Sequence, residues 1–407
     1  MSSRNSRRRF LATAALAAAG TSGCLRLTNS ESATQSTSTD AATTSGEGDS
    51  ASTDDRSQTT EETTASAEGD PWSTQLPAPV TTTPLVRDGL VLVGNMDHNL
   101  YGIDARSGAE VFKSDVGDQV GSGLAFEAGV VYGTGPSGIF GVDAQTGERT
   151  LDPPLDEWNF DVNFGINAPL VVDDTLYYAA EDLLALDVDD VREKWQKDSP
   201  SAFGARPALV DGVLVTSDAG DSQTRPSDRS IVYGLDPATG ETSWRTKVDA
   251  DSLVSPVAVS EERGIAVLAG RYGTVAAFDV ASGEESWRVS VEKDGNVPMR
   301  PLVRDGRVFV SSQSAGTHAF GVASGDRQWS IRSREAAEAG RHLAFTDGRV
   351  VASTQTTAYE LDPASGVVFA SHSLSPERVR NTNVAIADGW LYYATGDSRV
   401  SRFPLER

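Results

Sequence analysis

A short phrase that recurs about every 40 residues constrains this chain more than any other feature. The phrase is Asp-x-x-(Ser/Thr)-Gly-x-x-x-Trp, and its clearest copy runs from Asp279 through Gly283 to Trp287. A fixed period of this length indicates a series of supersecondary units, none of which can bury its apolar face alone. Aligned on the Asp position, the copies fall at Asp104, Asp143, Asp187, Asp236, Asp279, Gly321, Asp362 and Pro404.

Each copy encodes two hairpins. In the first half an Asp-Gly pair, such as Asp305-Gly306, separates two short apolar runs, which is the strongest local hairpin signal. In the second half we expect the Asp side chain to bond the turn backbone, Gly to take a positive φ, and the large residue to pack on the next strand. Residues 333–339 are the only helical candidate, one or two turns long. The sequence therefore predicts an all-β fold, an eight-bladed β-propeller of four-stranded blades.

The two ends of the repeat region predict how the ring closes. The eighth copy stops at Arg407, after its third strand. Residues 70–76 resemble a displaced outer strand that carries its own Trp, Trp72. Pairing of this N-terminal strand with the last blade would remove two exposed sheet edges. We expect this pairing to close the propeller.

The repeated phrase resembles the PQQ-type propeller repeat over residues 70–407. That superfamily contains quinoprotein alcohol and glucose dehydrogenases and the non-enzymatic outer-membrane assembly lipoproteins of the BamB type. For the enzymes, the resemblance implies PQQ over the ring axis, a Ca²⁺ held by carboxylate and amide groups, an Asp base and often a vicinal disulfide. The chain has one Cys and no local run of Ca²⁺-ligand residues. We therefore expect no cofactor, with PQQ and Ca²⁺ as the alternative.

Residues 1–23 resemble a twin-arginine export signal. Arg7 and Arg8 precede an Ala-rich apolar run that is too short to span a bilayer. Small residues then lead to Cys24, a pattern similar to a lipobox. Residues 24–69 are rich in Ser, Thr and acidic residues and cannot bury a core, which predicts a disordered spacer. We expect export by the twin-arginine route and a lipid anchor at Cys24, on the outer face of the cytoplasmic membrane.

Composition narrows the environment and the partners. The formal net charge is −23, and most of the 35 basic residues are Arg rather than Lys. Many acidic residues and few Lys are typical of proteins from halophilic archaea. This charge balance disfavours nucleic-acid binding, because it repels phosphate. A single Cys allows no intramolecular disulfide, and the four His lack the short spacings of a zinc site, so we expect them in loops or at the surface. We expect a monomer.

One residue before each innermost strand should lie at the mouth of the central channel. The eight positions are Thr83, Gly123, Ala168, Arg206, Ser255, Arg300, His342 and Asn383. Four of them, Arg206, Arg300, His342 and Asn383, make one half of this ring polar to basic. Two Arg near the axis could clamp a carboxylate or phosphate. The alternative is that each Arg pairs with an Asp of a neighbouring blade.

Two insertions, residues 152–167 and 218–230, are predicted on the same face as the ring. The first carries Trp158 and Phe160, candidate contacts to a partner protein or glycan. The leading functional hypothesis is a non-enzymatic, membrane-anchored scaffold that binds extracytoplasmic proteins or ligands. The alternatives are a PQQ-dependent oxidoreductase with its cofactor at the channel mouth and a solute- or polysaccharide-binding propeller.

Overall fold

The computed structural model describes most of residues 69–405. The described ranges are 69–117, 119–121, 123–135, 138–151, 168–189, 192–199, 202–218, 230–248, 253, 255–270, 273–291, 300–312, 316–331, 342–346, 348–354, 356–374 and 383–405. Arg7, Arg8 and Cys24 lie outside them, as do Trp158 and Phe160 and the helical candidate at 333–339.

The described strands form eight four-stranded antiparallel sheets, which confirms the predicted eight-bladed propeller. Blades I to IV contain β2 (Leu85–Arg87), β3 (Leu90–Gly94), β4 (Asn99–Asp104), β5 (Glu110–Asp115); β6 (Leu124–Glu127), β7 (Val130–Gly135), β8 (Gly138–Asp143), β9 (Arg149–Leu151); β10 (Leu170–Val172), β11 (Thr175–Ala179), β12 (Leu183–Asp187), β13 (Glu193–Lys197); and β14 (Ala208–Val210), β15 (Val213–Ser217), β16 (Ile231–Leu235), β17 (Thr242–Lys247).

Blades V to VIII complete the ring. They contain β18 (Ala258–Ser260), β19 (Ile265–Ala269), β20 (Thr274–Asp279), β21 (Glu285–Ser290); β22 (Leu302–Arg304), β23 (Arg307–Ser312), β24 (Gly316–Gly321), β25 (Arg327–Ile331); β26 (His342–Thr346), β27 (Arg349–Ser353), β28 (Thr357–Leu361), β29 (Val368–Ser373); and β30 (Asn383–Ala387), β31 (Trp390–Ala394), β32 (Arg399–Pro404), β1 (Trp72–Gln75). A 3₁₀ turn, Glu261–Arg263, joins β18 to β19. Within the described part of the chain, no helix is both long enough and apolar enough to cross a membrane.

The repeated Asp organises the turn between the third and fourth strands of a blade. In blade V, Asp279 Oδ1 accepts hydrogen bonds from the Ser282 backbone N–H and hydroxyl, both at 2.8 Å. The N–H of Gly283 donates to the Asp279 carbonyl at 2.8 Å. The turn glycines of six copies have φ between 71° and 75°, a region that disfavours residues with a Cβ. The predicted turn chemistry is confirmed.

The large residue that ends each phrase joins one blade to the next. The Trp287 ring of blade V lies against Gly325 in the turn of blade VI, and its Nε1 donates to the Val322 carbonyl at 2.8 Å. We call this arrangement the tryptophan latch. The ring therefore packs on the turn of the following blade, and it shares a core cluster with Val308 and Val310 of that blade's strand β23. Equivalent Nε1 bonds join Trp72 to Ala105, Trp195 to Pro237, Trp244 to Val280 and Trp329 to Pro363.

Strand β1 closes the ring as predicted. It pairs antiparallel with β32, in a register that places Trp72 opposite Arg402 and Gln75 opposite Arg399. Trp72 also reaches across to blade I, where its ring lies against Gly108. Arg402 is buried and donates from Nη1 to the Ala105 carbonyl at 2.6 Å. The last blade is thus completed by an N-terminal strand that also holds the first blade.

Candidate functional site in the central channel

The innermost strand of each blade faces the axis, and neighbouring innermost strands contact one another around the ring. Arg206 and Arg300 lie two residues before β14 and β22, at the start of the innermost strands of blades IV and VI. His342 and Asn383 are themselves the first residues of β26 and β30. All four positions therefore lie within one residue of the predicted place, which is one residue before the strand.

One cavity in the channel contains both predicted arginines. Its volume is about 620 Å³, within the range of about 300–1,000 Å³ typical of small-molecule sites. Most of its lining residues are apolar, although polar atoms make up at least half of the lining surface. The apolar lining residues include Leu170, Leu209, Val259, Leu302, Val303, Leu343, Phe345 and Ile386. Its charged lining residues are Arg87, Arg206 and Arg300. His342 is not among the described lining residues, although it adjoins Leu343, which is. The side chain of Asn383 lies outside the described part of the structure.

Arg206 and Arg300 are both partly desolvated, and the charge of Arg300 acts on Arg206. Arg206 donates from Nε and Nη2 to the Pro169 carbonyl of blade III, at 3.2 and 3.0 Å. Desolvation by the surrounding blades, and then the positive charge of Arg300, lower the pKa of Arg206 to about 10. Arg300 remains open to water along the channel, yet the enclosing blades displace enough hydration to lower its pKa as well. Both side chains stay cationic at neutral pH.

The described residues supply no counter-charge to these arginines. No described carboxylate lies within 4 Å of Arg206 or Arg300, whereas Arg349 pairs with Glu360 and Arg288 with Glu285, each at 2.5 Å. The alternative prediction, a pairing of each Arg with a neighbouring Asp, therefore has no support in the described part of the chain.

The lining can be tested against the cofactor pair that the PQQ-type resemblance implies. A Ca²⁺ needs six to eight oxygen ligands, mainly carboxylates and carbonyls. The charged lining residues are all Arg, which repel a cation, and the described residues contain no group of three His, Cys, Asp or Glu able to hold a metal. The described lining therefore suits an anion and does not fit Ca²⁺.

A second feature lies on the outer edge of blade VII, where the sequence reasoning found nothing. Val367, Val368 and Phe369 are 61%, 40% and 46% exposed. We call these three residues the apolar strip. The equivalent triplets of blades III to VI are polar throughout: Arg192-Glu193-Lys194, Glu241-Thr242-Ser243, Glu284-Glu285-Ser286 and Asp326-Arg327-Gln328. Comparison of the aligned copies could have revealed the strip, since Ala370 also replaces the latch Trp there.

Polar contacts beside the apolar strip join its strand β29 to β27 and β28. Glu360 is fully buried and accepts from Arg349 Nη1 and binds His372 Nε2, each at 2.5 Å. The Arg349 guanidinium lies 4.9 Å from the centroid of the Phe369 ring. The prediction of surface histidines fails at His318, which is 1% exposed in β24 and stacks on Phe320.

This geometry first defines a class: closed eight-bladed propellers with PQQ-type repeats. The family model described as outer membrane protein assembly factor BamB matches residues 28–223 and 228–404, and the chain belongs to that family. BamB of Burkholderia pseudomallei (strain K96243) is 25% identical over 265 residues, 61% of this chain and 65% of the relative. Across the curated relatives that the chain resembles, the match spans between 22% and 65% of the relative's length.

Solved structures of low identity share the fold. BamB from Moraxella catarrhalis is 14% identical, with a TM-score of 0.66, over 82% of this chain and 98% of that chain. The quinohemoprotein alcohol dehydrogenase of Comamonas testosteroni is also 14% identical, with a TM-score of 0.63, over 83% of this chain and 76% of that chain. At this identity both likenesses concern architecture alone.

Proposed function

We propose that this chain is an exported, membrane-anchored scaffold, which binds an extracytoplasmic protein and catalyses no reaction. Membership in the BamB family supports a scaffold role. Export through Arg7 and Arg8 and anchoring through Cys24 are supported by the N-terminal sequence pattern. The observation that carries the proposal is the apolar strip, Val367, Val368 and Phe369.

The strip has the properties of a docking edge. Strand β29 is the outermost strand of its sheet, in the order β26-β27-β28-β29, so one side of its backbone can accept an added strand. Val367 lies in the turn before the strand, and Val368 and Phe369 are its first two residues. Exposed apolar side chains beside an open backbone edge suit an extended apolar segment of another protein. The occupant that we propose is such a strand.

The test places a photo-crosslinking amino acid at position 369 of the full-length chain in living cells. Position 111 of blade I is the matched control, because Val111 occupies the equivalent place in its copy and is 51% exposed. We expect one protein to cross-link at 369 and not at 111, and the Val368→Glu substitution to abolish that product. We also expect Cys24→Ser to release the protein from the membrane fraction into the medium.

Two outcomes would count against the scaffold. Equal products at positions 369 and 111 would indicate unspecific proximity rather than a docking edge. A 369 product that persists with Val368→Glu at full strength would show that the apolar strip does not bind the partner. Thermal unfolding of each variant establishes that the propeller itself is intact.

A further inference from the structure

The arginines of the central channel point to a small-molecule site that is separate from the outer edge of blade VII. We propose that the channel binds a small amphipathic anion, with its oxyanion head group between Arg206 and Arg300 and its apolar body along the channel wall, without a metal ion. This site goes beyond the scaffold role and is independent of it, since either proposal can fail alone.

The head-group position follows from the two guanidinium groups. They start the innermost strands of blades IV and VI and line one cavity. Arg206 uses Nε and Nη2 to bind the Pro169 carbonyl, which fixes its direction, and no described residue accepts a hydrogen bond from its Nη1. Two like charges in a partly desolvated channel repel each other, and an oxyanion between them relieves that repulsion through charge-assisted hydrogen bonds. The structure therefore favours an anion at this mouth.

The apolar body follows from the wall. The three residues of a strand such as β22 span about 10 Å, so the cavity extends from the mouth arginines towards Arg87 at the end of β2. Leu209, Val259 and Leu302 lie on this path, and each is half-buried against a core between blades, so that part of its side chain remains exposed. An anion without an apolar portion would leave these surfaces in contact with water. An aromatic or aliphatic tail of a few carbons would cover them, at about 25 cal/mol per Å² buried.

Independence from metal distinguishes this site from a PQQ–Ca²⁺ site. A cation in the cavity would face the same positive charges that attract the anion. The described lining contributes no carboxylate to offset them. Binding should therefore be unaffected by a chelator.

The experiment is a calorimetric titration of the purified full-length chain with 4-phenylbutyrate, 4-phenylbutyl phosphate, 4-phenylbutylamine and acetate, at one fixed salt concentration. We expect the phenylbutyl carboxylate, the phosphate or both to bind with one-to-one stoichiometry. The relative affinities of these two ligands identify the preferred head group. The amine should not bind, because it has the same tail and the opposite charge. Acetate should bind at least about tenfold more weakly, because it lacks the tail.

The variants assign the site. Arg206→Gln and Arg300→Gln should each weaken binding about tenfold or more, as expected for losing a hydrogen bond to a charged group, and the double variant should abolish it. Arg300→Lys should retain part of the affinity. Arg327→Gln, an exposed arginine of strand β25 outside the cavity, is the charge-matched control and should bind like the unmodified chain.

The proposal is overturned if the amine binds as well as the carboxylate, if neither anion binds a folded chain, or if EDTA abolishes binding. It is also overturned if a folded double variant binds normally. Should the arginine variants fail to fold, the comparison of amine with carboxylate on the unmodified chain still decides. Loss of cross-linking at position 369 would leave this result unaffected.

Discussion

Blade V and blade VII are built from the same repeat but end it differently. Blade V closes its phrase with Trp287, which latches onto blade VI, and the three residues before the Trp are polar. Blade VII has Ala370 at the latch position, and the apolar strip precedes it. In residues 367–370, which correspond to residues 284–287 of blade V, blade VII therefore lacks the tryptophan latch and has exposed apolar side chains instead.

This difference shows how a repeat protein can specialise without losing its ring. Each interface of a repeat fold adds its own term to stability, so one weaker interface is tolerated when its neighbours are strong. Trp329 latches blade VI onto blade VII, and Trp72 latches blade VIII onto blade I. Blade VII thus receives a Trp latch from blade VI, while on its other side it packs against blade VIII through a core that includes Val351, Ala358 and Leu391, without a Trp of its own at the latch position. Two other blades also lack a Trp there: blade I has Phe112, whose ring lies against Gly147 of blade II, and blade II has Leu151.

The latch at the closing seam should have the largest effect on stability. Replacing residues 72–75 by Gly-Ser-Gly-Ser removes the Trp72 contacts with Ala105 and Gly108 and leaves β32 as an open edge. We expect unfolding free energy to fall by about 3 kcal/mol or more, as for other large-to-small substitutions of packed Trp, and the exposed edge to promote association. Thermal unfolding and light scattering measure the two effects.

The matched control replaces residues 60–63, outside the described ranges, by the same four residues. It should melt like the unmodified chain. A seam variant that also melts like the unmodified chain and stays monodisperse would show that β1 does not close the ring.

Ala substitutions at two glycines distinguish the energy of the tryptophan latch from the cost of backbone strain in the turn. Gly325 and Gly306 have φ of +71° and +70°, so an Ala at either position pays the same backbone cost of about 1 kcal/mol. A Cβ on Gly325 would lie 2.7 Å from the Trp287 ring, whereas a Cβ on Gly306 would have no atom within 4 Å. We expect Gly325→Ala to destabilise by about 1–3 kcal/mol more than Gly306→Ala, because the ring must move.

Chemical denaturation of both glycine variants measures this difference. Equal losses would mean that the latch yields at no cost, and the comparison between blades V and VII would then lose its energetic basis. Adding Trp287→Ala to Gly325→Ala should remove the clash, so that the double variant loses less than the sum of the two single variants.

The fold was largely predictable because its signals are local and repeated. The Asp turn, the positive-φ Gly and the Asp-Gly hairpins each depend on a few adjacent residues, so eight copies reinforce one interpretation. The pairing of β1 with β32 was predictable because residues 70–76 include a Trp that belongs to no other copy. The contact of each Trp with the turn of the following blade was not predictable, since the phrase does not encode whether its ring turns to its own blade or the next.

The candidate sites were less predictable because they depend on contacts between distant residues. The meeting of Arg206 and Arg300 in one cavity was predictable from their equivalent places in the repeat. The apolar residues that line the cavity and the bond to Pro169 were not. His318 lies in β24 and its side chain is buried, which the spacing of the histidines in the sequence does not show. The apolar strip was visible in the aligned copies, but only the exposure of Phe369 shows that its ring is not folded into the core.

The smallest predicted effect is on stability at acidic pH, and it follows from the Asp turn that blades V and VII have in common. The pKa values of Asp279 and Asp362 lie below the ordinary Asp value of about 3.9. The main cause is a hydrogen bond from the hydroxyl of Ser282 or Ser365, respectively, and backbone N–H donors of the turn add to it. A lowered pKa stabilises the folded state above the unfolded-state value, and this stabilisation is lost as pH falls through the folded-state value. Asp279→Asn should therefore flatten the acid limb of a stability–pH curve while changing stability at neutral pH by less than about 1 kcal/mol. Asp305→Asn, in a hairpin turn of blade VI, is the charge-matched control, and an equal flattening by that variant would contradict a specific role for the repeated Asp.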